Sequence, residues 1–263
     1  MSARRVERSL RRDSARAATS LAGILALLLV WEGAVSGLEV PLYILPAPSV
    51  IGAQVVRDWP LLLRHLEPTV IEAVGGFAVG NGVAIVLAAT FVYAPPVSRV
   101  MFPVAIALRT IPLVAITPLL VVWLGNGYAP KVAIAALISF FPTLVNMARG
   151  FAAARPDQLE LMHSLAASPW QVWRLVRWPT SLPYLFSALR IASTSCVLGA
   201  IVAEWIGSDR GLGYLIVAAT FEYRVARLWA TIFVSTATAV LAFLVVAAAE
   251  RVAIPWGRQS EAP

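Results

Sequence analysis

The chain has 263 residues, of which 59% are hydrophobic and 13% are charged, and its formal net charge is +7 at pH 7. Soluble domains carry about 45–50% apolar and about 25% charged residues, so this composition excludes an ordinary soluble protein and predicts a membrane protein. The single lysine, Lys131, does not belong to a GxxxxGK[ST] loop, which excludes a P-loop ATPase within this chain. One cysteine and two histidines that are far apart in sequence predict no disulfide, no metal site, no bound cofactor and no catalytic residue.

Six apolar stretches follow one another along the chain. A helix that crosses a membrane needs about 20 mostly apolar residues. The sequence therefore predicts an all-α protein with six transmembrane helices, at residues 17–37, 69–93, 100–124, 132–150, 182–206 and 228–252. The first stretch could alternatively be a cleaved signal peptide, because arginines precede it and Ala34-Val35-Ser36 resembles a cleavage site. The five later stretches need no further export signal, which favours a retained helix.

The distribution of basic residues predicts the orientation in the membrane. Residues 1–16 contain six arginines, and the segments on the same side together hold about twice as many basic residues as those on the other side. We therefore predict that both termini, residues 1–16 and 253–263, are cytoplasmic and that residues 38–68 form an external segment. The positive charge then serves topology and contact with membrane lipid, and nucleic acid is not a predicted partner.

Three local patterns outside the long loop predict structure. Ser49 is placed to cap a short helix that runs along the external segment toward Trp59. The stretch Gly207-Ser-Asp-Arg-Gly-Leu-Gly213 predicts a tight external turn that leads into a short or re-entrant helix. Gly76 and Gly80 have the small-xxx-small spacing that lets two helices pack closely.

The predicted five-helix core, residues 69–252, is interrupted by a polar loop at 151–181 on the predicted cytoplasmic side. Asp157, followed three residues later by Glu160, is typical of a capping box and predicts a short helix. One face of this helix carries four apolar residues: Leu159, Met162, Leu165 and Ala166.

A second short helix is predicted after the first. Ser168 is placed to cap it, Pro169 occupies its first position and Gln171 its third. Tryptophans and arginines alternate along it, which suits the head-group interface of a membrane. The Trp178-Pro179 pair is predicted to end this helix before the next span starts.

The loop also resembles a known motif. Glu160-Leu-Met-His-Ser-Leu-Ala-Ala-Ser168 and, after nine residues from Ala166, Val176-Arg-Trp-Pro179 are similar to the EAA---G---------I-LP loop of bacterial ABC-importer permeases. The resemblance implies that the first helix docks into a cleft on an ATP-binding subunit and transmits its closure to the membrane helices. It assigns this coupling role to nine residues: Glu160, Leu161, Met162, Ser164, Leu165, Ala166, Ala167, Ser168 and Pro179.

The motif is matched in spacing more closely than in residue identity. Leu161 and Met162 stand where the family has alanines, Ala166 replaces the glycine and Trp178 replaces the leucine. The larger Met162 side chain changes the volume of the docking helix, whereas the docking mode itself still follows from the resemblance.

The resemblance covers nearly the whole chain from Tyr43 onward. Five further segments are similar to the nitrate, sulfonate and taurine branch of these permeases: residues 43–50, 109–112, 140–142, 182–184 and 199–214. Residues 165–168 and 208–213 also resemble members that handle thiamine-precursor pyrimidines or riboflavin. The resemblance implies the fold of a type I ABC importer permease, located in the bacterial inner membrane.

The same resemblance implies partners. These are an ATP-binding cassette ATPase, which would bind the ATP, an extracytoplasmic solute-binding protein and a second permease copy in a homodimer. A carrier or channel that works without ATP is the alternative, although it would not need a loop of two capped helices. An intramembrane enzyme is disfavoured, because His65 and His163 fall in predicted loops and no serine has a GxSxG setting.

Four residues within or at the edge of predicted spans are candidates for the translocation pathway or a gate: Arg109, Pro112, Arg190 and Glu204. An ionisable group inside a membrane is costly, so such groups pair with a partner or face water. A positive charge on the pathway would favour an anionic solute. Alternatively, Arg109 and Arg190 snorkel to a membrane interface, and Pro112 is an ordinary kink.

Overall fold

All regular secondary structure in the described residues is helical, which confirms the all-α class. The computed structural model describes residue 19 and residues 22–255. The predicted N-terminal segment 1–16, the beginning of the first predicted span and most of the tail 253–263 lie outside these residues. The helices are α1 (Ala22–Gly37), α2 (Pro48–Arg57), α3 (Trp59–Tyr93), α4 (Pro95–Thr110), α5 (Leu113–Leu124), α6 (Tyr128–Ala152), α7 (Pro156–Ser164), α8 (Pro169–Val172), a π-helical turn (Trp173–Arg177), α9 (Trp178–Glu204), α10 (Leu212–Phe221) and α11 (Val225–Ala253).

Within residues 22–255, four continuous helices are long and apolar enough to cross a membrane. They are α3, α6, the helix formed by α8, the π-helical turn and α9 together, and α11. The predicted span 100–124 is not one helix, because α4 and α5 meet at an angle of 100°. Proline has no N–H and disfavours helical backbone in the residue before it, so Ile111 is extended (φ −73°, ψ 127°) in front of Pro112.

The segment between the first two spans differs from the prediction in two ways. Helix α3 begins at Trp59, well before the predicted residue 69, so the segment 38–68 contains α2 and the first turns of α3. Ser49 does not cap α2, which begins after Ala47. Its backbone N–H and hydroxyl instead donate to the carboxylate of Glu32 in α1, at 2.9 and 2.7 Å. The polar residue at the helix start thus joins two helices.

Helices α3, α6 and α9 form the centre of the bundle and pack through small residues. A methyl group added at Gly76 would lie 2.3 Å from the Ala135 Cβ, and one at Gly80 would lie 2.2 Å from the Ser139 Oγ. Both distances are far below van der Waals contact, which confirms the predicted close packing. We call the end of the bundle that carries α7 (Pro156–Ser164) the α7 end, and the end that carries α10 (Leu212–Phe221) the α10 end.

The predicted break at Pro179 is wrong, because the helix runs on from Pro169 to Glu204. Proline lacks an N–H, and its ring clashes with the carbonyl four residues earlier. The wider π-helical turn just before it, in which the Trp178 N–H donates to the Trp173 carbonyl, accommodates this change in the hydrogen-bond pattern. Trp173 and Trp178 also pack together, with ring centroids 5.2 Å apart. The loop helix and the membrane helix are therefore one continuous element.

Candidate functional site

The first candidate site is the α7 end, where α7 begins differently from the prediction. The helix starts at Pro156 with Arg155 at the N-cap position, so Asp157 lies inside the first turn and cannot cap it. The predicted capping box of Asp157 and Glu160 is therefore wrong. Asp157 pairs with the Arg155 guanidinium, and this hydrogen bond holds the pKa of the carboxyl below its usual value. Asp157 still lies in the first turn of α7, where the positive end of the helix dipole stabilises its negative charge.

The C-terminal end of α7 is tightly closed. Ala166 has a left-handed backbone (φ +52°), and its N–H donates to the His163 carbonyl at 2.9 Å. The Ala167 N–H donates to the Met162 carbonyl at 3.0 Å, which completes a Schellman motif. Alanine thus occupies the left-handed position at which the family motif has glycine. Two backbone hydrogen bonds therefore fix the C-terminal end of the short helix α7.

The predicted capping box at the start of the second helix is confirmed. The Gln171 N–H donates to the Ser168 hydroxyl at 3.3 Å, and the Ser168 N–H donates to the Gln171 side-chain oxygen at 2.7 Å. Ser168 therefore fixes the turn between α7 and the continuous helix that follows.

The apolar residues of α7 face in two directions. Leu161 and Leu165 are 60% and 68% exposed, next to the exposed Glu160. Leu159 and Met162 are half-buried, so the single apolar face predicted for this helix is divided. Between α7 and the following helix lies an open groove of about 400 Å³, lined by Gln158, Leu161, Met162, Leu175, Val176, Pro179 and Thr180. The predicted coupling residues Leu161, Met162 and Pro179 thus meet at one groove.

A contact that the sequence analysis missed ties this loop to the bundle. The Arg177 guanidinium donates to the Phe151 carbonyl at 2.7 Å, which joins the π-helical turn to the end of α6. In the sequence, the one indication of this hydrogen bond is a basic residue late in the loop. That residue alone does not identify the Phe151 carbonyl as its partner. The ends of the segment that carries α7 are therefore held together.

The second candidate site is the group of charged residues inside the bundle. The two predicted arginines, Arg109 and Arg190, have different neighbours there. Arg190 lies 3.3 Å from Glu250 of α11, so its charge is paired. Arg109 lies over the Phe141 ring, 4.8 Å from its centroid. Arg109 lines a cavity of about 300 Å³ at the α4–α5 break, next to Pro112. The two arginines therefore differ in their surroundings.

Glu204 fastens the glycine-rich loop at the α10 end. It is 1% exposed and accepts hydrogen bonds from the Thr69 hydroxyl at 2.6 Å and the Gly213 N–H at 2.5 Å. Nearby, the Leu212 N–H donates to Thr69 at 2.8 Å and the Gly211 N–H donates to the His65 Nδ1 at 3.1 Å. The short helix predicted after this loop is confirmed as α10.

A buried ion pair beside Glu204 was not predicted. Lys131 lies 3.4 Å from Glu72 and donates to the Ser208 hydroxyl at 2.8 Å. Lysine at the start of one apolar span and glutamate within another could have suggested a pair, since buried charges need partners. The pair links α3, α6 and the glycine-rich loop. Within residues 22–255, no group of three or more His, Cys, Asp or Glu residues could hold a metal ion.

Comparison with known proteins assigns the family. The family model described as "Binding-protein-dependent transport system inner membrane component" matches residues 80–253. The formylaminopyrimidine transport permease protein of Halalkalibacterium halodurans is 29% identical over 236 residues, covering 89% of this chain and 94% of that protein. The taurine transport system permease protein of Escherichia coli is 28% identical over 216 residues, covering 78% of this chain and 77% of that protein.

The fold agrees with this family. The inward-facing MetNI methionine ABC transporter contains a chain that matches with a TM-score of 0.60, covering 74% of this chain and 97% of that one. At 19% identity the likeness concerns the fold alone, and it confirms the predicted permease fold. The chain therefore belongs to the binding-protein-dependent transport system inner membrane component family, the multi-span ABC transporter permeases of the bacterial inner membrane.

Proposed function

We propose that this chain forms the translocation pathway of an ATP-driven importer and that α7 is the surface on which a separate ATPase subunit docks. The observation that carries this proposal is the exposure of Glu160, Leu161 and Leu165 on and directly after α7, at one end of a bundle with a permease fold. Exposed leucines beside an acid suit a partner with an apolar cleft and a basic rim.

Closure of the ATPases would act on the membrane helices through the connections of α7. Its C-terminal turn leads directly into the continuous helix Pro169–Glu204, and Arg177 ties that helix to the end of α6. A displacement of α7 would therefore shift α6 and α9 together and switch the pathway between inward-facing and outward-facing states. Because one chain supplies half of a two-fold pathway, we propose a homodimer with two docked ATPases.

The proposed cargo is a small solute that an extracytoplasmic binding protein delivers to the predicted external side. Relatives named as taurine and formylaminopyrimidine permeases support a sulfonate such as taurine or a thiamine-precursor pyrimidine, and a nitrate-type solute is proposed from the sequence resemblance alone. The ATPase carries the chemistry, and we expect this chain to hold no cofactor.

Charge reversal on α7 tests the docking surface. Glu160→Arg should remove the ATPase from the purified complex and abolish uptake, because it places a cation opposite the proposed basic rim. The matched control is Asp209→Arg, since the Asp209 side chain is 89% exposed in the glycine-rich loop at the α10 end. Co-purification from detergent-solubilised membranes and ATP-dependent uptake are the two measurements.

Two outcomes would contradict the proposal. Normal uptake by the Glu160→Arg variant would show that α7 does not carry the docking contact. Uptake into liposomes by the purified chain without any ATPase would identify an ion-coupled carrier or a channel instead. The Asp209→Arg variant should retain the ATPase, because its substitution lies at the opposite end of the bundle from α7.

A further inference from the structure

Arg109 differs from three other cations of the bundle, each of which forms an ion pair. Lys131 pairs with Glu72, Arg190 with Glu250, and Arg227 with Asp58 at 2.6 Å. Within the part of the chain that the structure describes, Arg109 has neither an acidic partner nor a hydrogen bond, and only the Phe141 ring faces its guanidinium. Arg109 is exposed on the surface of the single chain. A charge in a span needs a partner or water, so Arg109 is open to water and to a counter-charge from outside the chain.

The position of Arg109 argues against snorkelling. Its guanidinium lies over Phe141, which is near the middle of α6 (Tyr128–Ala152), and not near either end of that helix. A lipid head group lies at the membrane surface, whereas the middle of a spanning helix lies at the depth of the acyl chains. The anion that pairs with Arg109 at this depth is therefore better supplied by a solute than by a lipid.

The cavity beside Arg109 has the shape and lining of a small-molecule site. It has a volume of about 300 Å³ and is formed where α4 and α5 meet α6 and α9. Its lining is apolar apart from a few groups, and it includes Arg109, Leu113, Leu137, Phe141, Ile191 and Ser195. Apolar walls with a few fixed polar groups are typical of ligand pockets, and this volume is at the small end of their range.

The break between α4 and α5 adds to the positive potential of this cavity. Helix α5 begins at Leu113, which lines the cavity, and no side chain caps its N-terminus. The first N–H groups of a helix carry a partial positive charge, and broken spans place such ends near anionic groups of bound solutes. Both the guanidinium and the helix end therefore favour an anion.

We propose that this cavity binds the transported solute and that the solute is a small organic anion with a sulfonate or carboxylate head. The guanidinium of Arg109 pairs with two oxygens of the head group, as arginine does with planar or tetrahedral oxyanions. Phe141 and the leucines cover the short apolar body. This inference rests on the proposed function, because it assigns a solute class to the pathway.

Direct binding tests the site without ATP hydrolysis or transport. The full chain, with its ATPase partner bound, is placed in nanodiscs of zwitterionic phosphatidylcholine, and thermal unfolding is followed by tryptophan fluorescence. The probe is pentane-1-sulfonate, and pentane-1-sulfonamide is its uncharged match. We expect the sulfonate to raise the unfolding temperature in a saturable manner and the sulfonamide to have no such effect.

Substitutions then locate the binding. Arg109→Gln should raise the apparent dissociation constant for the sulfonate at least tenfold, whereas Arg109→Lys, which keeps the charge, should raise it less. Arg149→Gln is the control, because Arg149 is an exposed arginine of the same bundle in α6. If Arg109→Gln fails to fold, as judged by gel filtration, the comparison of the lysine variant and the sulfonamide still tests the claim.

Three results would overturn the proposal. Equal binding by the wild-type chain and Arg109→Gln would show that Arg109 does not recognise the anion. Equal effects of sulfonate and sulfonamide would reduce the site to an apolar cavity. Loss of sulfonate binding in nanodiscs that contain phosphatidylglycerol would assign Arg109 to a lipid head group. Each result is independent of the Glu160→Arg experiment, so failure of the anion site and failure of ATPase docking are distinguishable.

Discussion

Ala166 ends the coupling helix α7 in a backbone conformation that glycine adopts more readily. A side chain in the left-handed region costs about 1–2 kcal/mol, because the Cβ approaches the following carbonyl oxygen. The hydrogen bonds of Ala166 to His163 and of Ala167 to Met162 hold the residue in this conformation. The end of α7 is therefore stable only while these bonds offset the strain.

Ala166→Gly should stabilise the end of α7. Removing the methyl group relieves the strain, and after the added flexibility of glycine is subtracted we expect a gain of about 1 kcal/mol. This corresponds to about fivefold slower hydrogen exchange of the Ala166 and Ala167 amides. The control is Ala167→Gly, since Ala167 does not have a positive φ and should gain nothing. Equal exchange in the wild type and Ala166→Gly would contradict this explanation.

The contrast between Ser168 and Asp157 shows which residue-scale features the sequence can predict. The Ser168 capping box was predicted because both partners lie within four residues and Pro169 marks the first helical position. Asp157 is the predicted N-cap of a similar box, but the N-cap of α7 lies two residues earlier, at Arg155, whose guanidinium binds the carboxylate. A cap can be read from spacing only when the first helical residue is already known.

Helix α10 depends on two glycines and one buried acid. A methyl group on Gly213 would lie 2.1 Å from the Ile201 carbonyl oxygen, and one on Gly211 would lie 2.1 Å from the Glu204 carboxyl carbon. Gly211 also has a φ of +111°, which other residues rarely adopt. The glycines therefore allow the loop backbone to reach the side chain of Glu204.

Gly213→Ala should loosen α10. The added methyl group cannot be accommodated without moving backbone, so we expect a loss of about 1–3 kcal/mol. This loss would lower the unfolding temperature by several degrees for a chain of this size. Gly82→Ala is the matched control, because no atom lies within 4 Å of a methyl group at that position. An unchanged unfolding temperature in Gly213→Ala would show that α10 is not fastened through this contact.

Prolines explain where the prediction of helices succeeded and where it did not. Pro112 lies inside a predicted span and Pro179 at a predicted helix end, yet α4 and α5 diverge at Pro112 while the helix continues through Pro179. The difference lies in the backbone before each proline. Ile111 is extended, whereas the π-helical turn Trp173–Arg177 keeps the chain helical. That choice depends on tertiary packing, such as the contacts of the Trp173 and Trp178 rings with Phe151 of α6, which local sequence does not specify.

The charged pairs inside the bundle belong to the scale of the whole molecule. Glu72 and Lys131 come from α3 and α6, and Arg190 and Glu250 from α9 and α11. The sequence predicted that ionisable residues in spans need partners, but it could not pair them, because each partner lies on a different helix. Arg109 became a candidate for solute binding only when the structure showed the cavity beside it and the pairing of Lys131 and Arg190.

The connection between α7 and the membrane helices is also a property of the whole molecule. The continuous helix Pro169–Glu204 reaches from the α7 end to Glu204 at the α10 end. Arg177, near its start, binds the Phe151 carbonyl at the end of α6. A force on α7 can therefore reach α9 through the helix itself, and it can reach α6 through this charged hydrogen bond and through the contacts of Phe151 with Trp173 and Trp178.

Arg177→Gln should separate ATPase docking from transport. A hydrogen bond from a charged group contributes about 1.5–3 kcal/mol, so its loss should reduce the uptake per ATP hydrolysed about tenfold or more. The exposed surface of α7 stays unchanged, so the ATPase should still co-purify and hydrolyse ATP. The control is Arg174→Gln, because Arg174 is an exposed arginine of the same π-helical turn. Full uptake by Arg177→Gln would show that this hydrogen bond does not transmit the movement of α7, whereas loss of the ATPase would place Arg177 in the docking surface.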